Sequence, residues 1–183
     1  ITQLSQFSFA DTTAFYLLDQ ASGRVGLWLV PTTMIAAVAR FPGLGSAAAT
    51  LTVPKRHGNE VWSLDPLVHV QRVGDAYPAF FSQGRTLRNG PSTHAFRFAR
   101  QRTIPAGNGT TVETELVAPD GAVCLHRLSW QPGTPVLRCE TEVRNDSPAP
   151  VTLELLTSFS LGGITPFAAD DAPGRLLIHR CRS

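Results

Sequence analysis

The 183 residues carry 16 basic and 14 acidic side chains, for a formal net charge of +2. With 43% hydrophobic and 16% charged residues, the chain has ample material for a core, which excludes a disordered tail. The positive excess is too small and too evenly spread to hold a polyphosphate, so nucleic acid is not an expected partner.

The length fits a single domain, 1–183. No apolar run is long enough to span a bilayer and no secretory core segment is present, so a membrane is not expected either. Three cysteines, an odd number, argue against a disulfide-stapled secreted module. Cys124 and Cys139 flank the turn at 131–134 almost symmetrically, yet two buried free thiols are the favoured expectation. Asn108 and Asn145 each head a glycosylation sequon, and both also fit ordinary turns, which is the expectation here.

In chain order, Thr13 to Asp19 and Arg24 to Val30 are strand-like runs around Gln20-Ala21-Ser22-Gly23, a hairpin signal. Thr32 to Arg40 suits a short helix ended by Pro42-Gly43. The segment from there through Gly58 shows no period. Leu67 to Val73 is a candidate strand, and Gly74 to Pro91 is a long irregular stretch.

From His94 onward the alternation is regular. His94, Phe96, Phe98 and Arg100 are expected on one strand face, with Ala95, Arg97 and Ala99 on the other. Thr111 to Val117, Ala122 to Trp130, Val136 to Arg144 and Val151 to Phe159 follow, separated by turn residues. In the third of these, Leu137, Cys139, Thr141 and Val143 should face inward. In the last, Val151, Leu153, Leu155 and Phe159 should share a side opposite Glu154. Strands at this spacing predict an all-β, antiparallel sandwich.

Candidate chemistry is sparse. Asp170-Asp171 invites a two-carboxylate reading, but sequence neighbours do not flank a glycosidic bond at the roughly 5–9 Å required, and Ala-Pro-Gly after them suits a capping turn. His57, His69, His94, His126 and His179 are scattered, with neither an i,i+4 pair nor a CxxC, so no metal or other cofactor is expected. Ser158 and Ser160 lack the setting of a nucleophile elbow. The stretch 74–91 is the better candidate. It gathers Asp75, Tyr77, Phe80, Phe81, Arg85, Arg88 and Asn89, aromatic faces and hydrogen-bonding groups of the kind that hold sugars. The plain alternative is a loop whose aromatics pack on the sandwich. The run after Ser158 places Ile164 and Phe167 on a Gly/Pro-rich loop, and apolar side chains there call for a covering partner, expected beyond Ser183.

Four segments, WSLDPLV (62–68), GDAYP (74–78), GRTLRNGPS (84–92) and SFSLGGITPFAADDAPGRL (158–176), resemble the N-terminal region of bacterial α-galactosidases of glycoside hydrolase family 36. The resemblance extends from about Val61 to the end of the chain. It implies a galactose-mutarotase-like β-supersandwich ahead of a (β/α)8 catalytic barrel that lies downstream of this chain. It further implies a cytoplasmic bacterial hydrolase acting on terminal α-D-galactosyl residues of oligosaccharides, with retention through a glycosyl-enzyme intermediate. Both catalytic aspartates of the family sit on the barrel, so no catalytic residue is expected here. The domain is expected to be inactive alone, to dock on the barrel of its own chain through Ile164 and Phe167, and to assemble a homo-oligomer. In tetrameric members a loop at the position of 84–92 reaches a neighbouring subunit's active site. By position Arg88 carries that role here, with Arg85, Asp75 and Asn89 as further substrate-binding candidates in trans. The acidic residue that one branch of the family places in this loop has no counterpart in Gly84-Arg85-Thr86-Leu87-Arg88. An independent carbohydrate-binding β-sandwich module is the competing reading.

Overall fold

The computed structural model describes residues 1–35, 64–76 and 90–160. Its first unit is a meander of β1 (Thr2–Phe9), β2 (Thr12–Asp19) and β3 (Arg24–Pro31), antiparallel in that order. The expected β2–β3 hairpin is present, and its turn is built by side chains. Asp19 accepts from the backbone N–H of Ala21 at 3.1 Å and the hydroxyl of Ser22 at 2.6 Å. Gly23 closes the turn at φ +70°, a left-handed conformation that costs glycine little. The bond from Ser22, ahead of the opposing effect of partial burial, holds the Asp19 carboxyl below its ordinary pKa.

The largest sheet orders β5 (Arg97–Ala106), β6 (Gly109–Val117), β7 (Ala122–Trp130) and β8 (Leu137–Asn145), all antiparallel neighbours. A two-stranded pair, β4 (Val70–Arg72) with β9 (Leu153–Leu156), completes the strands among the described residues. The fold is all-β, as the alternation implies.

The three-stranded and four-stranded sheets face each other, and period-two alternation decides which side chains meet. Ala14, Tyr16, Val25 and Leu27 from the first pack with Val112, Leu116, Cys124 and Leu128 from the second, all within one buried cluster. Phe7 meets Tyr16 edge-on at 6.1 Å, and Phe9 lies 5.3 Å from Trp130. Each such aromatic pair adds about 0.5–1.5 kcal/mol to its burial. The far face of the three-stranded sheet is buried as well. Phe15, Leu17 and Val30 join Leu64 there. Gly26 is required at that spot, because a β-carbon on it would stand 2.7 Å from the carbonyl oxygen of Asp65. The chain crosses the sheet in direct contact with its backbone.

Across the inner face of the larger sheet runs a polar row in strict register, Gln101 opposite Thr114, Thr114 opposite His126, and His126 opposite Thr141. Gln101 accepts from the Ser5 hydroxyl and donates to Thr114 at 2.9 Å, while Thr141 donates to the carbonyl of Ser158 at 2.7 Å. The outer face instead carries charge. Glu113 takes bonds from Arg102 and Arg127 at 2.7 Å each, and Arg127 continues to Glu142 at 2.9 Å, a ladder across all four strands. On the outermost strand, β5, Pro105 stands opposite Thr110. A residue without an N–H is tolerated on an edge strand because the ladder does not need that donor on both sides.

Two expectations for this region need correction. His94 does not lie on a strand: Pro91–Ala95 form a short helix, α1, with Pro91 in its first turn. The face shared by Phe96, Phe98 and Arg100 also breaks. The β5–β6 register shifts between Phe98 and Arg100. The extra residue turns Phe98 to the core and Arg100 outward, where it bonds Glu115 at 2.7 Å. The helix expected over 32–40 begins as a 3-10 turn at Thr32–Met34; residues 36–40 lie outside the described residues. The thiols of Cys124 and Cys139 are free. Cys124 pairs in register with Val143 and Cys139 with Leu128, so the two stand four positions out of step. Asn145 is the last residue of β8, and its side chain holds the turn that follows, accepting from Ser147 and donating to the carbonyl of Ala149.

Candidate functional site

Of the residues expected to meet substrate, Asp75 is described; Arg85, Arg88 and Asn89 lie outside the described residues, as do Ile164 and Phe167. Asp170 and Asp171 also fall outside them. What the structure does define is the base from which 77–89 departs and to which it returns.

That base is built around one carboxylate. Asp75 accepts from the backbone N–H of Arg72 at 3.1 Å, from that of Ser92 at 3.3 Å, and from the Ser92 hydroxyl at 3.0 Å. The first bond closes the turn after β4, in which Gly74 takes φ +92°. The other two reach across to the opening turn of α1, whose own N-cap, Gly90, has no side chain to satisfy the helix's first N–H groups. A carboxylate from the far side of the stretch therefore does the capping. It joins the two ends of 77–89 at one point.

Three further contacts fix this point to the sandwich. The buried Thr93 hydroxyl receives the N–H of Val70 and donates to the Val70 carbonyl, both at 2.9 Å. Buried Arg24, from β3, donates to the Leu64 carbonyl at 3.1 Å and bonds Nδ1 of His94 on α1. Burial lowers the pKa of Arg24, against the upward pull of Asp19 and Asp65. Arg72 lies over the ring of Phe96, 5.7 Å from its centre, and bonds Asp120 in the β6–β7 turn. The bond from Arg72 in turn holds the Asp120 carboxyl below its ordinary pKa.

Chemically, the base is a support. Asp75 spends three hydrogen bonds on its own chain, so its position follows from the turn and the helix it joins. Sequence reasoning named Asp75 for another role and passed over Ser92, Thr93, Arg24 and Arg72. Gly90-Pro91-Ser92 does carry a helix-start signal that points to Ser92. No local signal marks Arg24, whose partners are 40 and 70 positions away.

Beside the base, the β4–β9 pair presents apolar side chains to solvent. Val73 is 62% exposed, Leu153 38%, Leu156 36% and Phe159 48%. The single-sided pattern expected over Val151 to Phe159 is not kept: the β4–β9 register shifts so that Glu154 is skipped, and among the described residues β9 pairs with β4 alone. Its pairing continues past the strand, Thr157 donating to His69 and Ser160 to Leu67. No group of three or more His, Cys, Asp or Glu side chains suited to a metal ion occurs among the described residues. Compared with models of protein families, with curated proteins and with solved structures, the chain matches none.

Proposed function

We propose that this chain is the N-terminal accessory and assembly domain of a retaining α-galactosidase of glycoside hydrolase family 36, inactive alone and completed by a downstream catalytic barrel. The observation that carries this reading is the Asp75–Ser92 junction. It holds both ends of the stretch bearing Arg85, Arg88 and Asn89 at one point of a packed sandwich. A loop that must present arginines to a neighbouring active site needs such a footing, because positional error at a substrate is costly. The exposed Leu153, Leu156 and Phe159 support the same reading, since they lead directly into the segment of Ile164 and Phe167. Apolar strips of this kind mark contact surfaces.

The test is hydrolysis of a chromogenic α-galactoside by this chain and by the chain continued through the downstream barrel. Activity in the longer protein alone is the expected result. Activity in the 183-residue chain would overturn the accessory role. Silence in both, together with galactoside binding by this chain at millimolar or lower Kd, would replace it with an independent carbohydrate-binding module.

A further inference from the structure

His126 sits at the centre of β7, on the face turned toward the three-stranded sheet, and has no exposed surface. Neither ring nitrogen has a hydrogen-bond partner among the described residues. Buried imidazoles ordinarily use at least one nitrogen, so this ring is unusual. Its strand neighbours are Thr114 and Thr141, and Cys124 and Leu128 flank it along β7. The titratable groups on the facing surfaces are Tyr16 from the smaller sheet and the thiols of Cys124 and Cys139. Burial raises the pKa of all three, so none carries charge near neutrality. The inward positions of β1–β3 and β5–β8 hold no Asp, Glu, Lys or Arg.

We propose that His126 is an acid-sensitive latch between the two sheets: neutral, its ring fills the interface; protonated, it cannot remain there, and the sandwich opens. An imidazolium brings two N–H donors and a full charge, and the described inward positions of the two sheets offer no carboxylate to meet them. Among the described residues its polar company is uncharged: the Tyr16 hydroxyl, itself buried without a well-formed bond, the two threonines, and Gln101 beyond Thr114. Burial correspondingly lowers the His126 pKa from 6.5 to about 4. A proton therefore binds the opened chain more tightly than the closed one. The closed state keeps its full advantage above the ordinary value of 6.5 and loses it as the pH falls toward 4. The loss is about tenfold in the closing equilibrium per pH unit inside that window.

The experiment compares the native chain with His126→Leu by urea unfolding between pH 7.5 and 5, where carboxylates stay ionised. The native equilibrium constant should fall about tenfold per unit below pH 6.5 relative to the variant. Parallel profiles would overturn the proposal. Should the leucine variant fail to fold, the NMR titration of the native His126 ring decides. A ring that stays neutral in the folded protein at pH 5 supports the latch, and one that titrates near 6.5 without loss of native signals refutes it.

Discussion

Asp75 and Ser92, seventeen positions apart, are joined twice, through the serine's backbone N–H and through its hydroxyl. The pair closes a neck between the two described flanks of 77–89. Asp75→Ala should remove this closure together with the bond to the N–H of Arg72. The expected cost is about 1–3 kcal/mol for donors left without their acceptor. Urea unfolding measures it, and limited proteolysis should cut within 77–89 faster than in the native chain. Unchanged cleavage would show that the neck does not depend on this carboxylate.

Glu113 anchors the charge ladder on the outer face. Burial alone would raise its pKa, but bonds from Arg127 and Arg102 outweigh that and hold it below the ordinary 4.5. A lowered carboxylate pKa stabilises the fold at pH values above the ordinary one, and that contribution is lost as pH falls through the folded value. Glu113→Gln should therefore cost about 1–3 kcal/mol at pH 7, with the gap from the native chain closing in strong acid. A gap independent of pH would assign the effect to packing.

Cys124 has no exposed surface, and burial pushes its thiol up to about 12. Only the thiolate reacts with disulfide reagents. In the folded protein Cys124 should stay unmodified at pH 8 and react on unfolding, which mass mapping after alkylation would show. Modification at native rates would mean that β7 opens readily.

Leu156→Ser with Phe159→Ser tests the exposed strip. Both side chains are more than a third exposed, so the melting temperature should change little. Binding of a hydrophobic dye to the 183-residue chain should decrease, and on the proposed reading docking to a catalytic barrel should weaken. A large loss of stability would show that the strip serves the sandwich itself.

On the α-galactosidase reading proposed above, Arg88→Ala in the longer protein should lower kcat/KM by about 1–3 kcal/mol of lost charge-assisted hydrogen bonding. Unchanged kinetics with the oligomer intact would remove Arg88 from the substrate's surroundings.

The sandwich was legible because inward residues recur at period two over β6, β7 and β8, between clear turns. The other face is exposed and charged on β8, while on β6 and β7 it is partly covered, with Glu113, Val123 and Leu125 buried. Legibility failed where that recurrence failed. The bulge at Ala99 reverses the faces of β5 without any change of composition to announce it. Strand β9 is apolar by sequence yet largely uncovered. The hairpin at 20–23 could be read from residue types alone, since Asp, Ser and Gly each have a local reason to be there. The loop base was less legible. Arg24, Thr93 and Asp75 act on partners distant in sequence, and only three-dimensional proximity gives them their roles. The misread helix 91–95 came from the same source, because alternation continues through His94 while Pro91 and the Asp75 cap set the backbone.

Pro105 has a consequence for the chain in crowded solution. A bare strand border is a template on which identical molecules can stack without limit. On β5 that border includes the imino acid Pro105, so an incoming copy would lose a backbone donor there. Filament growth from this side of the larger sheet is thereby discouraged. The molecule's apolar strip lies elsewhere, on the β4–β9 pair, so contact there does not bring with it open-ended polymerisation along β5.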